Sequence, residues 1–397
     1  MNRENSVLCS PIREELEEIV AQGLWRSLRE VEAVEGAKIR VDGKWLVTLA
    51  SNSYLGLHLD SRVIAAAQEA AFTFGTGAGS SRLVGGTFSL HAQLEQELAR
   101  FKQAEAAIVF PTGYMANLGI VTTLVGPGDL VLGDHLNHAS LVDACRLSKA
   151  TFRVYPHKEV DRLKEALRLR RRRYRRVLIV TEGLFSMEGD IAPLPDLVEV
   201  AREYDAFLLV DDAHATGVLG KTGRGTLEYF GISPEGILQM GTFSKALGSL
   251  GGFLAGPQEM VHLIQNRARS FIYTTALPPS CAAASLTALR ILQQEPDLRV
   301  CLWENIQQWI SGLKGLGWDL IAQESPIVSI RVGLNDEAMA LSKALFEWGV
   351  YAPGIRPPTV AAGTARIRTS ITSFHTKEDL EQALRAFSEV IPHGVRT

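Results

Sequence analysis

Between Ala107 and Ala255, short apolar runs alternate with helix-length connections, and this rhythm restricts the fold more than any other feature of the chain. The runs are Ala107 to Phe110, Leu130 to Leu132, Phe152 to Tyr155, Val177 to Thr181, Phe207 to Asp211, Leu238 to Thr242 and Gly252 to Ala255. Strand-length runs spaced by helices predict an α/β fold: a mainly parallel seven-stranded sheet with helices on both faces. Ligands of such sheets lie beyond the carboxyl ends of the strands. The residues there are Pro111-Thr-Gly-Tyr-Met, Asp134-His-Leu-Asn-His, Glu182-Gly-Leu-Phe-Ser-Met, Asp211-Asp-Ala-His, and Lys245.

The flanks read differently. Leu16, Val20, Leu24 and Leu28 recur at helical spacing, which predicts an amphipathic helix from Arg13 to Glu32. Two alternating runs around Asp42-Gly43 predict a hairpin over Lys38 to Leu49. Helices are expected across Ser61 to Phe74 and through Leu90, Leu94, Leu98 and Phe101. After Pro278-Pro279 the alternation fades into helices with strand-like runs at Ile327 to Val332 and Ala365 to Ile371. A last helix opens at Thr376, with Asp379 completing a capping box, and buries Leu380, Leu384, Phe387 and Ile391. At 397 residues the chain exceeds one compact core. The expected division is an amino-terminal helix and hairpin (1–50), a large α/β domain (51–285) and a smaller carboxy-terminal α+β domain (286–397).

A net charge of -3 gives no bulk reason to expect nucleic acid or membrane as a partner. Seven arginines crowd Arg168 to Arg176, but no aromatic ladder accompanies them, so a solvated helix end is the reading preferred over a nucleic-acid patch. Cys9, Cys145, Cys281 and Cys301 have neither disulfide-framework nor zinc spacing, which fits a reducing cytoplasm. Neither a secretory signal core nor a membrane-spanning run is evident.

Four weak motifs can be set aside. Gly75-Thr-Gly-Ala-Gly lacks dinucleotide spacing and follows a helix. Ala215 to Thr222 resembles a P-loop with alanine in place of the first glycine and two acidic residues upstream. Thr242-x-x-Lys245 with Lys221-Thr-Gly has the order of the penicillin-recognising serine enzymes reversed and no nucleophilic serine. Asp134, His135 and His138 find no further ligands for a metal, and none is expected.

One ligand accounts for the strand ends together. Lys245 ends an apolar run, lies among Thr242 and Ser244, and precedes Gly248, Gly251 and Gly252, so an amine is held where backbone can approach a ligand closely. Shielded lysines of this kind form Schiff bases. Pyridoxal phosphate needs such a lysine, a carboxylate for its ring nitrogen, a phosphate cradle at a helix start and a flat group over its ring. Asp211 supplies the carboxylate, with Asp212 as the alternative beside it. Thr112-Gly113-Tyr114-Met115 offers backbone N–H groups to a phosphate. His138 is the candidate to stack.

These motifs resemble the α-oxoamine synthases, fold-type I pyridoxal-phosphate transferases that join an amino acid to an acyl thioester with loss of carbon dioxide. The resemblance runs from about Leu28 to the last helix and rests on Ser51-Asn-Ser-Tyr-Leu-Gly-Leu, Gly75-Thr-Gly-Ala-Gly-Ser-Ser-Arg-Leu, Leu136-Asn-His-Ala-Ser-Leu, Thr181-Glu-Gly-Leu-Phe-Ser-Met-Glu-Gly-Asp, Asp211-Asp-Ala-His, Thr242-Phe-Ser-Lys and Phe271-Ile-Tyr-Thr-Thr-Ala-Leu-Pro-Pro. It implies that Lys245 carries the cofactor and moves the substrate proton, that Asp211 pairs with the pyridinium, that His214 bonds the phenolic oxygen, and that His138 stacks on the ring and faces the substrate. Gly113, Tyr114, Ser186 and Thr242 would line the cofactor site. Thr274 and Thr275 would reach the phosphate of a neighbouring subunit in a homodimer. Asn52 and Arg368 would hold the amino-acid carboxylate.

Within the family, Ile355 to Arg368 is most similar to members that join L-alanine to a pimeloyl thioester of coenzyme A or acyl carrier protein, which makes Thr359 and Arg29 substrate candidates. The other reactions of the family open to such a chain join glycine to acetyl-CoA or to succinyl-CoA. Ala361 stands where proline is usual, and Ser80 where glycine is common. The two prolines of Arg356-Pro-Pro-Thr359 predict an extended segment that presents Thr359 to substrate.

Overall fold

A computed structural model describes residues 10–390. The first helix, α1 (Ser10–Ala21), stops well short of the predicted Glu32. Gly23 takes φ +66°, and the Leu24 amide reaches back to the Ile19 carbonyl at 2.9 Å, closing the helix with a left-handed cap. The apolar spacing runs on past this cap without a helix, and Leu28 is fully exposed.

The expected hairpin follows. Strands β1 (Ala33–Glu35), β2 (Lys38–Val41) and β3 (Lys44–Thr48) form an antiparallel ribbon, and its turn residues Asp42 and Gly43 both have positive φ. Helices α2 (Ser61–Phe74) and α3 (Ser89–Lys102) lead into the main sheet.

That sheet is built from all seven predicted runs. Its first half contains β4 (Ala106–Phe110), α4 (Gly113–Leu124), β5 (Leu130–Asp134), α5 (Ala139–Leu147), β6 (Thr151–Tyr155), α6 (Val160–Arg170) and β7 (Val177–Glu182). The second half contains α7 (Leu194–Glu203), β8 (Phe207–Asp211), α8 (Thr226–Tyr229), β9 (Leu238–Thr242) and β10 (Gly252–Gly256). The spatial order is β4-β10-β9-β8-β7-β5-β6, and every strand but β10 runs in one direction.

Alternate residues of the central strands serve opposite layers. Val131, Leu178, Val180 and Leu209 pack with Ile120 and Val121 of α4 and Leu141 of α5. Leu130, Leu132, Val177, Ile179, Leu208 and Val210 pack with Leu163 and Leu167 of α6 and Leu197 and Val198 of α7. Both faces are therefore covered, which is why these strands read as continuous apolar runs rather than as alternation.

Beyond β10 the chain is α9 (Gln258–Arg267), α10 (Arg269–Ile272), α11 (Pro279–Gln294), α12 (Asp297–Gly315), β11 (Ile327–Gly333) and α13 (Asn335–Glu347). It ends with β12 (Val350–Tyr351), β13 (Gly354–Ile355), β14 (Ala365–Ser370) and α14 (Lys377–Glu389). Strand β14 pairs antiparallel with β11 and β13, and β12 joins the ribbon beside β3. The capping box at α14 forms: Thr376 Oγ1 accepts from the Asp379 amide at 3.1 Å, and Asp379 Oδ2 accepts from the Thr376 amide at 3.0 Å. Leu380 and Phe387 are buried and Leu384 partly so, whereas Ile391 lies outside the described residues.

Two expectations about surface segments resolve differently. The arginine run ends α6 just before β7, with Arg168, Arg172, Arg173 and Arg175 exposed as a solvated helix end requires, while Arg171 pairs with Asp205 at 3.0 Å, Arg175 with Asp129 at 2.9 Å, and Arg176 donates to the Leu124 carbonyl. The segment around Pro357-Pro358 is a turn instead of an extended strand, closed by the Thr359 amide on the Arg356 carbonyl at 3.1 Å. Chain reversal between β13 and β14 overrides the local preference of the prolines.

Candidate active site

The carboxyl ends of β4, β5, β7, β8 and β9 meet the start of α4 around a cavity of about 150 Å³. Gly113, Tyr114, Asn117, His138, Glu182, Asp211, His214, Thr242 and Lys245 are among its lining residues.

At the cavity's edge, Thr112 caps α4 by accepting the Met115 amide at 3.1 Å, and the first amides of the helix have no intrahelical acceptor. Glycine is required here. A Cβ on Gly113 would lie 2.5 Å from Thr242 Cγ2, and one on Gly252 would lie 2.6 Å from Gly113 Cα. Because β10 is antiparallel, its first residue meets the last residues of β4 and β9, and backbone closes on backbone beside the helix start. The Tyr114 hydroxyl bonds Asp143.

Asp211, the last residue of β8, is buried and doubly held, with Oδ1 accepting the Ala213 amide at 3.0 Å and Oδ2 the Asn117 amide group at 2.8 Å. Asn117 also donates to Ser140 Oγ at 2.9 Å, and that hydroxyl lies 2.8 Å from His138 Nδ1. The Ser140 amide donates to the same nitrogen, so Nδ1 is the acceptor and Nε2 carries the ring hydrogen. One chain of bonds thus fixes both Asp211 and the plane of His138. Burial holds His138 below its ordinary range.

Asp212 faces the other way. It pairs with the fully buried Lys102 at 3.6 Å and accepts from the Thr226 amide at 3.0 Å, which removes it as the alternative ring-facing carboxylate.

His214 is buried with Nδ1 at 2.7 Å from the Tyr54 hydroxyl. Burial, and then the charges of Lys245 and Arg368, push it well below the ordinary histidine range, so its ring is neutral. Lys245 Nζ lies 3.4 Å from Thr242 Oγ1. Burial lowers its pKa, with Asp211 and Glu182 opposing.

Arg368 enters from β14. Its Nε donates to the Ser186 carbonyl at 2.7 Å, Nη1 to Ser370 Oγ at 2.8 Å and Nη2 to Asn52 Oδ1 at 3.0 Å. A guanidinium has about five N–H groups, so each Nη keeps one hydrogen for a ligand.

Other predicted residues lie outside the cavity. Ser186 sits behind it, its amide on Glu182 and its carbonyl on Arg368. Thr275 is exposed and Thr274 half-buried beside Met115. Thr359 is exposed, and the Arg29 guanidinium lies 4.4 Å above the Phe346 ring. Asp134, weighed as a metal ligand, accepts from His157 at 2.8 Å and from the Leu136 and Lys158 amides at 2.9 Å each. Ala215 to Thr222 forms successive turns with Ala215, Val218 and Leu219 in the core, unlike a P-loop opening a helix. Sequence reasoning gives no role to Tyr54, Asn117, Ser140 or Glu182. Only Glu182, at a strand end, carries a positional signal.

Comparison with known proteins agrees with this geometry. The family model described as aminotransferase class I and II matches residues 44–387. The chain is similar to 8-amino-7-oxononanoate synthase of Symbiobacterium thermophilum (47% identity, covering 95% of this chain and 96% of that one) and of Geobacter sulfurreducens (48%, covering 95% and 96%). It is also similar to the solved serine palmitoyltransferase of S. paucimobilis with bound PLP–myriocin, at a TM-score of 0.91 and 35% identity over 98% of each chain. The chain belongs to the class I and II aminotransferase family of pyridoxal-phosphate enzymes, in its α-oxoamine synthase branch.

Proposed function

We propose that this chain joins L-alanine to a pimeloyl thioester, of coenzyme A or acyl carrier protein, releasing carbon dioxide and giving 8-amino-7-oxononanoate for biotin synthesis. The observation that carries this reading is the convergence of Lys245, Asp211, His138 and His214 on one cavity, with the Arg368 charge near enough to act on His214 and Lys245, in a chain of this family.

The residues fit pyridoxal phosphate. The first amides of α4, against which Thr242 and Gly252 pack too closely for a Cβ at Gly113 or Gly252, suit a phosphate at the helix start. Asp211, held by two donors, would face the ring nitrogen, and Lys245 supplies the amine. When bound, the cofactor supplies an electron sink for charge developing at the amino acid's α-carbon.

The protein's own groups do the rest. Arg368 keeps one hydrogen on each Nη, which suits a bidentate grip on the alanine carboxylate, and Asn52 fixes the guanidinium plane. The lowered pKa of Lys245 provides a neutral amine at a lower pH than an exposed lysine would, as a base for the α-proton requires. Neutral His214 offers Nε2–H to an anionic oxygen, and His138 covers the ring. Burial of Asp211, Glu182 and His214 excludes water from the reacting centre.

We further read the enzyme as a cytoplasmic homodimer. Exposure of Tyr273 and Thr275, outside their own chain's cavity, supports a site shared across an interface. Among the described residues no helix is long and apolar enough to cross a membrane, and Cys145, Cys281 and Cys301 are free.

Absorption spectroscopy tests the reading. The purified chain reconstituted with pyridoxal phosphate should show a visible band, and Lys245→Ala should lose it while keeping its circular dichroism. A colourless protein that does not bind the cofactor would contradict the proposal.

A further inference from the structure

Glu182 ends β7 directly beside Asp211, its register partner on β8, so both carboxyl groups rise from the same face of the sheet into one cavity. Their surroundings differ. Asp211 accepts one strong donor on each oxygen. Glu182 accepts the Ser186 amide on Oε2 at 3.1 Å, while Oε1 is buried without any partner. The residue is 2% exposed, and its backbone is pinned by its amide on Asn137 Oδ1 at 3.1 Å. A buried polar atom without a partner, on a residue that lines a cavity, calls for an explanation, and a ligand atom supplies one.

Two carboxylates this close do not both ionise in a shielded site. Asp211 is the one with a hydrogen-bond donor on each oxygen. Burial raises the pKa of Glu182 well above the usual carboxylate range, with Asp211 adding to the rise; the Ser186 amide, the His138 amide, which lies nearby without making a hydrogen bond, and the Lys245 amine only partly oppose this. The other charged or titratable groups around the cavity are His138 and His214, both held below their ordinary range, Tyr114, whose hydroxyl bonds Asp143, and Arg368, reached through Ser186.

We propose that Glu182 is a further cofactor-binding residue: a carboxylic acid whose free oxygen carries a hydrogen and donates it to an anionic oxygen of the bound cofactor. His214 would be the companion donor. The phenolate of pyridoxal phosphate is an oxygen of this chemistry, so the inference rests on the cofactor reading above and adds a second donor to it. Donors at an oxyanion stabilise the deprotonated ligand, so losing one raises the pH at which the ligand gives up its proton.

The experiment uses the holoenzyme and reads the pH midpoint of the cofactor's visible band in wild type, Glu182→Gln and Glu182→Leu. The amide of Gln still donates a hydrogen, so its midpoint should stay near wild type, whereas the Leu midpoint should rise by about one pH unit, a tenfold change in the proton equilibrium. If Gln moves as far as Leu, or neither moves, the proposal is overturned. Difference infrared spectroscopy gives a second arm that needs no Leu variant. Wild type should show a protonated-carboxyl stretch that vanishes in Glu182→Gln, and absence of that stretch would also overturn it. A wild-type protein that binds no cofactor at all would instead defeat the functional reading, which keeps the two failures apart.

Discussion

The Tyr54 hydroxyl and His214 Nδ1 lie 2.7 Å apart, and both side chains are buried. That distance suits an O–H donor rather than a ring N–H. Burial pushes the Tyr54 pKa up to about 12, with Arg368 opposing, so the hydroxyl keeps its hydrogen. Tyr54 therefore donates to Nδ1 and leaves Nε2–H to face the cavity.

Tyr54→Phe should free the imidazole to change tautomer. An unmade bond to a buried acceptor costs about 1–3 kcal/mol, or roughly 5–150-fold in kcat/KM. Steady-state kinetics check this, and unchanged kcat/KM would remove Tyr54 from the account.

The Lys102–Asp212 pair predicts a stability effect behind the site. Both groups are essentially inaccessible, and Lys102 Nζ also donates to Thr216 Oγ1 at 2.9 Å. Lys102→Met leaves Asp212 buried without its cation and should cost about 3–5 kcal/mol in urea unfolding. Adding Asp212→Asn should recover part of that loss, because no charge then stays buried. Strictly additive losses would deny the coupling.

His157 lies between Asp134 at 2.8 Å and Asp190 at 3.0 Å. Burial pulls its pKa down, but the two carboxylates outweigh burial and push it up to about 9. A raised folded-state pKa means that the stabilisation is fully present below about pH 6.5, the unfolded value, and fades as pH rises through 9. The full shift corresponds to about 3 kcal/mol, and solvent screening of this partly exposed ring makes the contribution smaller. The melting-temperature gap between wild type and His157→Gln should shrink between pH 6.5 and 9.5, and a constant gap would contradict the assignment.

Shared sites predict complementation. Inactive Lys245→Ala and inactive Thr275→Ala subunits, mixed and refolded, should regain part of the activity, because one composite site then holds both intact residues. Verified mixed dimers without activity would place each site within one chain.

The sheet was legible because its strands are buried on both faces, so burial leaves a continuous apolar signature that needs no partner to interpret. The residues that line the cavity were legible where they end strands, as Asp211 does, or carry unusual chemistry, as Lys245 does. Asn117 and Ser140 were not, because an amide one turn into an apolar helix and a serine after a loop gain meaning only when the fold brings them to Asp211 and His138. The end of α1 was hidden for a related reason: Leu24 and Leu28 keep the helical period, while the left-handed cap at Gly23 decides the backbone. Thr359 and Arg29 sit outside the cavity of their own chain, one on the turn at Pro357 and the other over the Phe346 ring.

Substrate choice tests the account most directly. Product formation and carbon dioxide release should be measured together, with alanine or glycine against pimeloyl, succinyl and acetyl thioesters. Alanine should exceed glycine by roughly 10–200-fold in kcat/KM, since one methyl-sized contact is worth about 1–3 kcal/mol, and alanine with the pimeloyl thioester should be the fastest pair. Faster turnover of glycine with acetyl-CoA than of alanine with pimeloyl-CoA would contradict the proposed reaction.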